Sequence, residues 1–213
     1  MDKISVPLVG RPARVQSFEG LSRELQVEFF RKGIHLFIAI VPFLARLDVA
    51  MTMAMLAAGT IIYTYAEHVR SQGREIALIS AMTNAASRPR DMGKFVLGPV
   101  TLGLGAMIAL LLYPEPAASI AIYALAFGDG FSSIIGKMVG RWRIPLTGGK
   151  TFAGSAACFS AVFLVVLRLT GKPTIAAVLG GTATLLEALP TGDLDNILLP
   201  VGTGFVASQL LAG

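Results

Sequence analysis

The residue in this chain most suited to chemistry is an aspartate in an apolar run. Residues 117–136 read AASIAIYALAFGDGFSSIIG, with Asp129 between Gly128 and Gly130. A carboxylate in a membrane-length apolar segment costs about 2.5–3.5 kcal/mol on insertion scales, and such residues mark functional sites. The two glycines remove side chains on both sides, which is expected to open room for a ligand or a second backbone. A carboxylate there can ligate a metal ion or take a proton from an alcohol.

Three further clusters carry polar chemistry. The stretch 136–155, GKMVGRWRIPLTGGKTFAGS, supplies Lys137, Arg141, Arg143 and Lys150. Gly148 and Gly149 precede Lys150 and Thr151, where a helix should start. Helix starts offer backbone N–H groups and a positive dipole end to phosphate, and Thr151 and Ser155 add hydroxyls. The stretch is not a Walker A loop, because Ile144 stands where that motif needs glycine. In 187–202, EALPTGDLDNILLPVG, the acids Glu187, Asp193 and Asp195 stand with Asn196. Acids opposite a basic loop suit Mg²⁺, which binds through one or two carboxylates plus substrate phosphates. In 24–36, ELQVEFFRKGIHL, Glu28, Arg31 or Lys32, and His35 recur on one helix face, and the cations are expected to contact phosphate.

The elements that must position these groups belong to a membrane protein. Of 213 residues, 54% are hydrophobic and 15% charged, with mean hydropathy +0.69; soluble domains carry about 25% charged residues. The net charge of +5 does not point to nucleic acid, because the basic residues fall in short loops between apolar runs. The expected fold is all-α and polytopic, with about seven transmembrane helices at 33–47, 49–66, 95–113, 117–136, 151–169, 173–190 and 194–212. The first gains length from 27–30 as one slanted helix, and 75–87 is expected to lie along the surface. Residues 1–32 form an N-terminal cytoplasmic segment with an amphipathic helix, and 33–213 the catalytic membrane domain. The first 20 residues carry no long apolar run, so no cleaved signal is expected. Cys158, alone in the chain, is expected to be a buried small hydrophobe.

Orientation follows from charge. With an inside N-terminus and seven spans, only Arg46, Arg168 and Lys172 of the 18 Lys and Arg fall outside, and 15 stay inside. The positive-inside rule then puts the C-terminus outside and all four polar clusters at the cytoplasmic face. A transporter would gather its polar groups nearer the midplane. The pattern fits an enzyme that takes a polar substrate from the cytosol and a lipid from the bilayer.

In order and spacing these residues resemble the CTP-dependent lipid kinases: dolichol kinase, phytol kinase and the CTP-using diacylglycerol kinase. The matching elements are Arg31, Lys32 and His35; Gly128, Asp129 and Gly130; Gly136, Lys137 and Gly140; Lys150, Thr151, Gly154 and Ser155; Glu187; and Asp195, Asn196 and Pro200. Ala153 stands where the family has an acid. The resemblance implies transfer of the CTP γ-phosphate to a membrane lipid alcohol, with Mg²⁺ as cofactor and no nucleic acid partner. It implies Asp129 as metal ligand or base, and Lys150 as a catalytic cation. Arg31, Lys32, His35, Gly128, Gly130, Lys137, Thr151, Gly154, Ser155 and Asn196 would bind nucleotide. Glu187, Asp193 and Asp195 would complete the metal site. A more distant likeness to CDP-diacylglycerol synthase makes cytidylyl transfer the alternative, and a non-enzymatic transporter or scaffold the second.

Overall fold

The computed structural model describes residues 18–74 and 94–212. The expected surface helix at 75–87 and the first 17 residues lie outside the described residues. Helix α1 (Phe18–Phe37) continues through a 3₁₀ turn at Ile38–Ile40 into α2 (Val41–Leu47). Pro42 is tolerated because it stands in the first turn of α2, where its missing N–H would have no helical partner. The boundary expected between residues 32 and 33 falls inside α1, which runs on to Phe37. Asp48 caps α3 (Val49–Ser71) by accepting from Met51 N at 2.8 Å.

Helix α4 (Gly98–Leu112) leads to the central element, α5 (Ala117–Tyr123), a π segment (Ala124–Asp129) and α6 (Gly130–Val139), one continuous rod. Then come α7 (Phe152–Thr170), α8 (Pro173–Glu187), a 3₁₀ turn (Gly192–Leu194) and α9 (Asp195–Leu211). Helix α7 is capped by Thr151 and ends at Gly171 in the left-handed conformation, φ +66°. Between α6 and α7 the chain makes a hairpin with a single antiparallel bridge between Arg143 and Thr151.

Four helical stretches are long and apolar enough to cross a membrane among the described residues: Val49–Ser71, Ala117–Val139, Phe152–Thr170 and Gly192–Leu211. Gly98–Leu112 is apolar but shorter. The expected spans at 95–113 and 173–190 are helices of 15 residues each, and that at 33–47 is split between α1 and α2.

The rod Ala117–Val139 lies at the centre of the molecule. Ile120 and Ala124 pack with Cys158, Val162, Val166, Leu179, Ala183 and Leu199 from α7, α8 and α9. Ala121 and Ile122 pack with Ala106, Ala109 and Val41 from α4 and α2. Small residues let helices approach closely where lipid supplies no hydrophobic drive. The crossing of α4 and α9 depends on this. Pro200 cannot donate to the carbonyl of Asn196, and α4 lies so close to that carbonyl that a Cβ on Gly105 would stand 2.0 Å from its oxygen. The Asn196 side chain adds bonds to Thr101 Oγ1 at 2.9 Å and Gly98 O at 3.2 Å.

Candidate functional site

The rod changes from α to π geometry across Ala124–Asp129, and Asp129 is the last π residue. A π segment adds a residue to the turn and re-aims the side chains after it, and such bulges recur at functional sites. Asp129 is buried, and it lines a cavity of about 600 Å³ at one end of the helices. Glu28, Arg31 and Lys32 from α1, Ser132 and Lys137 from α6, and Asp193 and Asp195 near the start of α9 form its wall. The hairpin closes it with Arg143, Thr147, Gly148, Gly149, Lys150 and Thr151.

Four cations of this wall, Arg31, Lys32, Lys137 and Lys150, each lie against a carboxylate. Lys32 donates to Asp129 Oδ2, and His35 Nδ1 lies 3.0 Å from the same oxygen. Lys137 Nζ reaches Glu28 Oε2 at 2.6 Å, and Arg31 Nη1 lies 3.4 Å from both Glu28 oxygens. Lys150 donates to Glu187 Oε1, which also accepts from Ser132 Oγ at 2.7 Å. Burial works against the Lys150 charge, but Glu187 and Asp129 outweigh it and hold the ammonium above the ordinary lysine range. A buried charge whose partner is removed is costly, so each pair constrains the geometry of its two helices.

The structure thus brings Arg31, Lys32, Asp129, Lys137, Lys150, Thr151, Asp193 and Asp195 onto one cavity. His35 stands just behind, against Asp129. Other expected site residues are placed elsewhere. Gly128 and Gly130 do not open room for a ligand: a Cβ on Gly128 would meet Val162 and Cys158 at 3.1 and 3.2 Å, and one on Gly130 would meet Leu36 at 3.3 Å. They are close-packing positions that seat the rod against α7 and α1. Gly154 does the same against α6, where a Cβ would stand 2.8 Å from Ser132 O. Asn196 faces α4 through the bonds described above and does not line the cavity. Ser155 Oγ is buried, with no hydrogen-bond partner among the described residues. Glu187 lies behind the wall and reaches the cavity through Lys150 and Ser132.

The helix start expected to hold phosphate is largely used by the protein itself. Phe152 N donates to Trp142 O at 3.1 Å, and Gly154 N to Thr151 Oγ1 at 3.1 Å. The cationic side chains, rather than those N–H groups, face the cavity. Sequence reasoning missed the part of Ser132, which holds Glu187, and of Thr147, which lines the cavity; Arg143, read there as one cation of the basic loop, lines it too. Arg143 carried a signal in its alternation with Trp142 along the hairpin; Ser132 carried none.

Comparison with known proteins bears on what such a site does. The chain is 24% identical over 229 residues to a probable phytol kinase 1, chloroplastic, of Oryza sativa subsp. japonica, covering 96% of this chain and 71% of the relative. It is 30% identical over 99 residues to a phytol kinase of Synechocystis sp., 42% of each chain. It is 28% identical over 141 residues to a farnesol kinase, chloroplastic, of Arabidopsis thaliana, 59% of this chain and 46% of the relative. No family model and no solved structure matches the chain.

Proposed function

We propose that this chain, a homologue of phytol and farnesol kinases over most of its length, is a membrane kinase that moves the γ-phosphate of CTP to a phytol- or polyprenol-type alcohol. The observation that carries the reading is Asp129 on a cavity that also presents five cationic side chains, Arg31, Lys32, Lys137, Arg143 and Lys150. A carboxylate at the end of an apolar rod suits a lipid hydroxyl held at headgroup level, and a cationic wall suits a polyphosphate from water. The choice of CTP rests on the family resemblance.

In this reading the lipid hydroxyl oxygen attacks the γ-phosphorus. The bond from that phosphorus to the β–γ bridging oxygen breaks, and CDP leaves. Asp129 takes the hydroxyl proton, while Lys32 and His35 hold its orientation. Lys150, Lys137, Arg31 and Arg143 balance the polyphosphate charge, and Glu187 with Ser132 fixes Lys150. Phosphoryl transfer depends mainly on positioning and charge stabilisation, which this set can supply.

Mg²⁺ fits as a partner of the nucleotide rather than as an ion held by protein alone. Among the described residues no three His, Cys, Asp or Glu group to hold a metal. Asp195 and Asp193 share the cavity wall with Asp129, and Mg²⁺ needs only one or two carboxylates when phosphates complete its shell. Bound there, the ion would neutralise polyphosphate charge.

The same proposal keeps seven spans, with the N-terminus and cavity cytoplasmic and the C-terminus outside. The distribution of Lys and Arg supports it. The continuity from α1 to α2 supplies the first span. Helices α4 and α8, with 15 residues each, rise about 22 Å at 1.5 Å per residue, so the bilayer thins around them.

The test is product analysis with purified protein in lipid nanodiscs, given CTP or ATP, Mg²⁺, and phytol, farnesol, a polyprenol, a diacylglycerol or, as acceptor for cytidylyl transfer, phosphatidate. Free CDP with a lipid phosphomonoester supports the proposal. Pyrophosphate with a CDP-lipid would replace it with cytidylyl transfer. An absence of nucleotide consumption across the panel would remove the enzyme reading.

A further inference from the structure

The hairpin between the two apolar rods has two chemically different faces. The span Ala117–Val139 ends where it begins, and the span Phe152–Thr170 starts where it finishes. Ile144 N donates to Lys150 O at 2.8 Å, so the chain folds back on itself between them. Arg143 and Thr147 line the cavity. Their neighbours Trp142 and Leu146 are 78% and 96% exposed. The strap is therefore polar towards the cavity, through Arg143 and Thr147, and carries its exposed apolar side chains at Trp142 and, in the turn, Leu146.

Leu146 adopts φ +66°. A leucine there gives up about 1–2 kcal/mol relative to right-handed backbone, and asparagine or glycine would suit the turn better. The protein therefore holds a large apolar side chain fully exposed in a backbone state that disfavours it. Trp142 gives the depth. Its carbonyl accepts from Phe152 N at 3.1 Å, so its backbone is level with the first residue of a candidate span. Met138 and Phe152, both 57% exposed, carry the apolar surface into the ends of the two rods. Arg141 is exposed beside Trp142. A tryptophan flanked by arginine at the end of a span has the composition of a membrane–water boundary.

We propose that the hairpin is seated in the headgroup layer of the bilayer through Trp142 and Leu146, with Arg141 meeting lipid phosphates, so that the strap closing the cavity is held by the membrane itself. The occupant of this surface is the lipid surface, because it continues the apolar faces of the two rods that the hairpin joins. For its effect on catalysis the inference rests on the kinase reading; for the location of the hairpin it does not.

Trp142 is the chain's one tryptophan, so intrinsic fluorescence reports this site alone. Full-length protein is placed in vesicles containing phosphatidylcholine brominated either near the headgroup or near the chain end. The expected result is blue-shifted emission, strong quenching by the shallow bromines, weak quenching by the deep ones, and protection from aqueous iodide. Iodide quenching without bromolipid quenching would put the hairpin in water. Protection from both quenchers would put it under protein. Either result overturns the proposal. Leu146→Asn suits the backbone and should unfold no sooner than wild type, yet lose most of the shallow quenching. With unchanged CTP KM, its apparent KM for the lipid alcohol should rise several-fold. Unchanged quenching in this variant would overturn the role of Leu146. If the quenching pattern appears but no phosphoryl transfer is found, the seat stands and the kinase reading falls. If transfer is found without the quenching pattern, the kinase reading stands and the seat falls.

Discussion

Lys32 and Asp129, separated by 97 positions in sequence, form an ion pair in which each side chain is only 3% exposed. The pair ties α1 to the π segment of the central rod at the wall of the cavity. It joins the carboxylate of that rod to the helix that also carries Arg31 and His35. Breaking such a pair from one side leaves an unmatched buried charge, which costs about 3–5 kcal/mol.

Asp129→Asn is expected to abolish turnover while the protein still inserts and purifies. The amide retains the size but cannot take the proton; it also leaves Lys32 without its carboxylate, so the variant should unfold earlier than wild type while still inserting. Lys32→Met alone should destabilise more than Lys32→Met combined with Asp129→Asn, because the double variant leaves no unmatched charge. A double-mutant cycle on thermal unfolding in detergent checks this. Additive losses would mean the two groups are not coupled, and activity of folded Asp129→Asn within a few-fold of wild type would remove Asp129 from the chemistry.

Lys150→Ala is expected to raise KM for nucleotide and also lower kcat, since a cation at a transferring phosphoryl group acts more strongly in the transition state. Lys172→Ala, at the exposed start of α8, should leave both parameters near wild type. Steady-state kinetics on the two variants decides whether Lys150 is more than a topology charge.

Glu187→Gln should change the alkaline limb of nucleotide binding. In the native protein, burial opposes the Lys150 charge but Glu187 and Asp129 outweigh it, so its pKa is raised. A raised pKa in a cation means the favourable charge is fully present below the ordinary lysine value of about 10.4 and is lost only as pH rises through the higher folded value. Neutralising Glu187 removes a main cause of the rise, so KM for nucleotide should begin to climb at lower pH than in wild type. An unmoved profile would mean Glu187 does not set the state of Lys150.

Gly105→Ala should destabilise without touching the cavity. Its Cβ would stand 2.0 Å from Asn196 O, a backbone atom that cannot yield without moving α9. Asn196→Ala should cost about 1–3 kcal/mol, because Thr101 and Gly98 lose a buried partner. Thermal unfolding should fall in both, while KM for nucleotide in protein that remains folded stays near wild type. A selective rise in that KM for Asn196→Ala would instead return Asn196 to the nucleotide site.

Single cysteines at positions 145 and 212, in a background where Cys158 is replaced by alanine, test the orientation. Pro145 and Ala212 are exposed, and Cys158 is fully buried. A membrane-impermeant thiol reagent added to sealed inside-out and right-side-out vesicles should label the two positions from opposite sides. Labelling of both from one side would sink the seven-span arrangement.

Much of this protein was legible one window at a time. The apolar runs, the helix-start signal at Thr151 and the anomaly of Asp129 all act within a turn or a span, where hydropathy and capping are local quantities. So was the gathering of polar residues at four places in the chain. Which of those polar groups would meet was not legible. A glycine in sequence says that something comes close, but only the packed helices decide that Gly128 meets Val162 and Cys158 and Gly105 the Asn196 carbonyl. Asn196 and Pro200 look like part of a site in sequence, yet they hold α9 against α4. Glu187, read as a metal ligand, meets Lys150 and Ser132. The rotation and crossing of each helix depend on side chains from elements many tens of residues away. Those packing choices, made when small residues allow two rods to touch, turned a row of polar motifs into one cavity wall and left some of them behind it.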